Sequence, residues 1–260
     1  MLRLSAIFKN YRETGSLNEQ VNLFGFIGPQ VFLTKTGEVG VVLEVRGVDY
    51  ECLDAVAIDG LTKRLESALK LFDENCRVYQ YLFKRNNESI PYKLYANPVV
   101  DAAIKNRIAY LSGKADTLFS LSVYFVVLYQ GFEASHKLAS AFTHLTSDPK
   151  GAIAELRAHF STEKQTVVLG RHVNDAETVL LQKARSFILH VSDFLSVRLL
   201  DKQEAFRVLK KTLNFDPAKL ELAKLKHDTF LDYYLPESPI ECHRGHLRVD
   251  DYYVKVLTLN

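Results

Sequence analysis

The chain has 260 residues, of which 47% are hydrophobic and 25% are charged, and this is enough for one large folded core or two small ones. Its formal net charge is only +2, which excludes a global electrostatic argument for nucleic-acid binding. Three scattered cysteines exclude a disulfide framework and favour reduced thiols.

Residues 1–30 are interpreted as a separate N-terminal segment. It begins as a short, basic, amphipathic stretch whose apolar side includes Leu4, Ile7 and Phe8, and it lacks the apolar core of a secretory signal. Such a stretch fits an anionic membrane surface, a partner protein or the body of its own domain. We therefore take these three residues as candidate partner-binding residues.

The next hundred residues alternate between strand and helix patterns. Residues 31–49 predict two strands joined by a glycine-centred turn, and a helix over 57–72 follows with apolar residues at helical spacing. Residues 78–83 predict a strand, 98–110 a helix and 118–129 a buried strand, since this last run is too short to span a membrane. The order predicts an α+β fold: an antiparallel sheet with helices packed on one face, ferredoxin-like in tendency, plus a helical subdomain.

Two short motifs carry a family resemblance. The turn Lys35-Thr36-Gly37 and the step Arg46-Gly47-Val48-Asp49 resemble the N-terminal region of the conjugal-transfer ATPases of type IV secretion, the CagE/TrbE/VirB component family. The closing segment 246–259 resembles the same family. The resemblance implies a docking and assembly domain on the cytoplasmic side of the bacterial inner membrane, peripheral to it, in a machine that drives substrate transport or pilus biogenesis. It also implies other secretion-system subunits as partners, namely a small inner-membrane subunit and the inner-membrane scaffold, and a homo-oligomer.

The sequence lacks a P-loop, which needs a glycine-rich run followed by Lys-Ser or Lys-Thr. The run from Gly37 to Gly40 continues into two valines, and the run from Gly60 to Lys63 has no second glycine, so a turn and a helix explain them better. We expect no enzyme activity and no cofactor in this chain alone; ATP and magnesium are expected only with an ATPase core. The alternative is a free-standing α/β enzyme or nucleic-acid-binding protein with a site of unfamiliar form.

No catalytic, cofactor or metal site is predicted. The carboxylates Asp49, Glu51 and Asp54 are better explained as a loop and a helix cap than as an acid–base pair. The cluster Cys242-His243-Arg-Gly-His246 has no second ligand pair at zinc spacing, so a surface loop is preferred.

A second docking surface is expected at the edge of the opening hairpin, at Phe32, Val41 and Leu43. An unpaired strand edge can accept a strand from a partner.

The second half of the chain reads as mainly helical. A helix over 174–200, capped by Asn174 or Asp175, carries an apolar stripe, and Asp201 caps a further helix over 202–213. Pro217 starts another short helix, and residues 246–259 form a β-hairpin that turns at Asp250. The predicted divisions are 1–30, 31–135, 136–240 and a closing hairpin at 241–260, whose apolar end we interpret as leading into an ATPase core beyond the fragment.

Overall fold

The computed structural model describes residues 17–48, 53–86, 90–114, 117–130, 163–225 and 230–258. The helices within them are α1 Leu17–Gln20, α2 Ala55–Leu69, α3 Pro98–Ser112, α4 Glu163–Val191, α5 Lys202–Lys211, α6 Pro217–Leu222 and α7 Leu231–Tyr234. The strands are β1 Gly25–Phe26, β2 Phe32–Leu33, β3 Val39–Arg46, β4 Cys76–Asn86, β5 Phe119–Tyr129, β6 Ser196–Leu199, β7 Ile240–Cys242, β8 Leu247–Val249 and β9 Tyr252–Val254.

Strand β3 is the centre of an antiparallel sheet. One of its edges pairs with β5, and β4 lies outside β5 in the order β1-β2-β3-β5-β4. The other edge of β3 is shared, because β2 pairs with its first residues and β6 with its last four. The α+β class and the antiparallel sheet predicted from the sequence are confirmed.

Helices α2 and α4 cover one face of this sheet. The stripe Leu180, Ala184, Phe187 and Val191 is fully buried against the inward side chains of β3 and β5, because residues three and four apart share one face of α4. The Phe187 ring lies 5.3 Å from that of Phe72, just beyond α2. The apolar stripe predicted for this helix is therefore part of the main hydrophobic core of the domain.

A second core covers the opposite face of the same strands. Val42 and Val126 point to this side, and Ala205, Phe206 and Leu209 of α5 pack there. Neighbouring residues of β3 point alternately to the two faces, and almost all of β3 is buried. The sequence had placed helices on one face; the structure shows that α5 adds a layer on the other.

The long helix differs from its prediction at both ends. It runs over Glu163–Val191, so Asn174 lies inside it and does not cap it. Residues 196–199 form strand β6, although the predicted helix continued to position 200. This segment pairs with the last four residues of β3, and that tertiary pairing outweighs the local helical spacing.

Local signals placed the other helix starts correctly. The Asp201 side chain accepts a hydrogen bond from the Glu204 backbone N–H at 2.8 Å, and Glu204 reaches back to complete a capping box. Pro98 lies in the first turn of α3, and Pro217 begins α6.

The closing hairpin is the end of a small three-stranded sheet, β7-β8-β9. Its tight turn is at Asp250 and Asp251, as predicted, and Asp250 has a positive φ of 52°. Asp250 accepts hydrogen bonds from Ser238 and from Lys219 of α6, the latter at 2.9 Å. These contacts fix the small sheet to the helices of the second core.

Candidate docking surface

The hairpin turn that carries the Lys35-Thr36-Gly37 motif packs against other elements of the fold. Gly37 has a φ of +87°, a conformation that favours glycine. The Lys35 ammonium lies 2.9 Å from the carboxylate of Asp232 in α7, and both side chains are about nine-tenths buried. Glu38 is buried beside them and bonds to Arg77 of β4. The turn therefore connects the hairpin to α7 and to the far strand of the sheet.

The residues predicted for a docking edge are buried instead. Phe32 is 1% exposed, and Val41 and Leu43 are fully buried. Strand β3 is paired along both edges, so the unpaired edge assumed for this hairpin does not exist there. The prediction failed because no local pattern indicates that β5 and β6 flank this strand. The other predicted docking residues, Leu4, Ile7 and Phe8, lie outside the described residues.

The glycines considered for a phosphate loop have structural roles. Gly37 forms the hairpin turn, and Gly60 lies within α2. A Cβ at Gly40 would overlap the ring of Phe32 on the paired strand β2, so close packing requires glycine there. The turn and helix interpretations of these glycines are confirmed.

Carboxylates near the start of α2 form no acid–base pair among the described residues. Asp54 is the N-cap of α2 and accepts a hydrogen bond from the Ala57 N–H at 2.7 Å. Asp49 and Glu51 lie outside the described residues.

The cysteine–histidine cluster forms a surface turn between β7 and β8. The rings of His243 and His246 stack with their centroids 4.8 Å apart, and Cys242 is exposed. In the part of the chain that the structure describes, no three His, Cys, Asp or Glu side chains are grouped to hold a metal ion.

Burial, together with the Asp73 carboxylate, raises the pKa of the Cys76 thiol to about 11, so this thiol is protonated at neutral pH.

Helix α3 is the clearest uncovered element. It is well formed, with Pro98 in the first turn and the Asn97 side chain accepting a hydrogen bond from Val99 N–H at 3.0 Å. Nevertheless none of its residues is buried, and Val99 is 75% exposed. Short helices in water are held mainly by packing of an apolar face, so α3 is an element that a partner would stabilise.

The ribbon of β4 and β5 extends beyond the centre of the sheet. Residues 119–122 of β5 pair with β4 but not with β3. Together with α3 and the chain leading into it, this part of the ribbon forms what we call the distal surface. Its exposed large apolar side chains are Leu82, Tyr92, Leu94, Tyr95, Val99, Val100, Tyr110, Leu118, Phe119 and Leu121.

A concentration of exposed apolar side chains of this kind marks an interaction site more often than an isolated apolar residue does. Among the described residues, the distal surface is therefore the best candidate for docking.

Residues 30–136 match the family model described as the type IV secretion system ATPase VirB4/TrbE, N-terminal domain. Over these residues the chain is similar to the VirB4/TrbE N-terminal domain family. The resemblance seen in the Lys35 turn and the Arg46 step is thereby confirmed. A search of curated proteins finds no match.

The matched VirB4/TrbE range contains β2 to β5 with α2 and α3, and thus the whole distal surface. It does not contain α4 or β6, although Phe187 of α4 packs against Phe72 and Phe125 inside the range. The core of the VirB4/TrbE domain is therefore completed by residues beyond the match. Among the described helices, none is both long and apolar enough to cross a membrane.

Proposed function

We propose that this chain is a non-catalytic docking domain of a type IV secretion ATPase. It holds the ATPase to other subunits of the secretion machine, on the cytoplasmic side of the bacterial inner membrane. The partners we propose are a small inner-membrane subunit and the inner-membrane scaffold, together with further copies of the ATPase.

The observation that carries this proposal is the distal surface. The two cores bury the apolar residues of β3 and pack against the part of β5 that pairs with it, yet α3 keeps its apolar residues in contact with solvent. Burial of apolar area is worth roughly 25 cal/mol per Å², so a partner covering this surface would gain substantially from contact with it. The family match supports the proposal that the partner is a subunit of a secretion system.

We propose further that the chain alone neither binds nor hydrolyses ATP with magnesium. Two features support this part of the proposal. The sequence has no glycine-rich run followed by Lys-Ser or Lys-Thr. In addition, Gly37 and Gly40 are explained by a turn and by close packing against Phe32.

The test is co-purification with the cognate inner-membrane subunits after co-expression and detergent extraction. We expect the wild-type chain to retain the small inner-membrane subunit and Val99→Glu on α3 to lose most of it. Val56→Glu on α2 is the matched control, since Val56 is 80% exposed and Val99 is 75% exposed. Both substitutions place a carboxylate in solvent, so neither is expected to change the fold.

Equal retention by the two variants would contradict docking through the distal surface, and loss of the wild-type chain from the complex would contradict docking altogether.

A phosphate-release assay on the purified chain tests the proposal that the chain alone does not hydrolyse ATP. Turnover that a single substitution abolishes would show that the chain has an active site.

A further inference from the structure

The outer edge of β4 is a long strand edge that no other described strand pairs with. All eleven residues of β4, Cys76–Asn86, pair with β5 on the inner edge. In an antiparallel pair, residues alternate between directing their N–H and C=O groups to the neighbour and away from it. Roughly half of the β4 backbone groups therefore point outward and can accept a further strand.

The charges of β4 disfavour pairing with a second copy of itself. The strand contains Arg77, Lys84 and Arg85 and no acidic residue. Arg77 is paired with the buried carboxylate of Glu38, which leaves the positive charge concentrated at the end of the strand. Two such strands side by side would bring like charges together, whereas an acidic strand would be attracted.

A groove of about 320 Å³ lies beside this positive end. It is lined by Leu82, Phe83, Lys84, Arg85, Lys211, Asn214 and Phe215. Four of these residues are consecutive in β4, and their side chains alternate between the two faces of the sheet. No residue of β5 contributes to the lining, so the groove lies beside β4, between this strand and the end of α5.

The groove combines aromatic rings with cations. The Lys211 ammonium lies 4.4 Å from the ring centroid of Phe83, and the Lys84 ammonium lies 4.1 Å from that of Phe119. Every ionisable side chain in the lining is a cation. Asn214 is fully buried and donates to the carbonyl groups of Lys210 and Leu235, so it shapes the groove without offering a free amide.

We propose that the outer edge of β4 and this groove bind an extended acidic segment of a partner protein, which adds to the sheet as a further strand. Main-chain hydrogen bonds to β4 give affinity, and carboxylates on the face of the added strand that lies beside Lys84 select an acidic sequence. Apolar side chains on the other face of the segment lie against Phe83 and Phe215. The inference rests on the proposed docking function and specifies the chemistry of one partner.

Binding is tested with a fluorescent peptide of about eight residues in which glutamate alternates with valine. We expect it to bind the full chain with an affinity that falls as salt rises, and we expect the same peptide with lysine in place of glutamate not to bind. The double variant Lys84→Glu/Arg85→Glu should weaken binding by about tenfold or more. Lys63→Glu on α2 is the control, because Lys63 is an exposed lysine that does not line the groove, and it should leave binding unchanged.

Strand addition is tested with two N-methylated peptides, one methylated at odd residues and one at even residues. Only alternate N–H groups of an added strand face β4, so one peptide should lose binding and the other should keep it. Equal behaviour of the two peptides would overturn strand addition. Failure of the acidic peptide to bind would overturn the choice of an acidic partner.

The outcome is separable from that of the proposed function. If the acidic peptide fails while co-purification with the secretion subunits succeeds, this inference is wrong and the docking function stands. If the peptide binds as described but the chain retains no secretion subunit, the strand-binding site stands and the docking function is wrong.

Discussion

Lys35 shows how a motif residue acts in this domain. It belongs to the turn that carried the family resemblance, and its ammonium is buried 2.9 Å from the carboxylate of Asp232. Removing one partner of a buried ion pair leaves an uncompensated charge, which is far more costly than replacing both. Its role is to join the opening hairpin to α7.

We expect Lys35→Met to lower the free energy of unfolding by about 3–5 kcal/mol, because Asp232 is then left buried without its partner. The double variant Lys35→Met/Asp232→Leu should recover most of this loss. Urea unfolding of the wild type, both single variants and the double variant measures the coupling. Additive losses in the double variant would show that the pair does not act as a unit.

Individual residues were predictable where one local interaction decides their conformation. Gly37 was assigned to a turn and Asp201 to a helix cap from the sequence, and both are so placed. Phe32, Val41 and Leu43 were assigned to a free edge and are buried. Phe32 is buried in the core with residues of α5, and Val41 and Leu43 are buried with residues of α4, and both helices lie far away in sequence. No local pattern contains that information.

The same distinction holds for helices and strands. The apolar periodicity of α2, α3 and α5 placed each of them within a few residues. Strand β6 was predicted as the end of a helix. Its local sequence does not show its pairing with β3, because that pairing forms only when the chain folds back. The distal surface was missed for a related reason: the sequence predicted α3 as a packed helix, and its apolar residues gave no sign that the sheet leaves them exposed.

The small sheet β7-β8-β9 is predicted to loosen in acid through Asp250. Hydrogen bonds from Ser238 and Lys219 hold the pKa of this carboxyl below its usual value of 3.8. The stabilisation is therefore fully present at pH values well above 3.8 and is lost as the pH falls through the lower pKa of the folded state. Asp250→Asn should lower the thermal midpoint at neutral pH, and the difference from the wild type should shrink as the pH falls below 3.8.

Asparagine tolerates the positive φ of position 250, so this substitution tests the charge and not the turn. Asp251→Asn is the control. The Asp251 side chain is 96% exposed, so this substitution should hardly change the thermal midpoint. A difference between wild type and Asp250→Asn that is independent of pH would contradict this account.

At the scale of the whole molecule, the described residues form a sheet with a core on each face and one end that none of them covers. The matched family range contains that open end, whereas α4 and β6 beyond the match complete the core. The domain boundaries inferred from the sequence stay a prediction, although β6 shows that the second half of the chain contributes to the main sheet. Under the proposed function, folding and docking involve different parts of the chain: α4 and α5 stabilise the sheet, and the distal surface contacts the partner.

The central claim is that the distal surface docks to the secretion machine. The most direct measurement is amide hydrogen exchange of the chain, alone and bound to the purified cognate inner-membrane subunits. We predict slower exchange on binding in α3 and in the adjoining ends of β4 and β5, with α2 unchanged. Protection confined to α2, or none in α3, would contradict the claim.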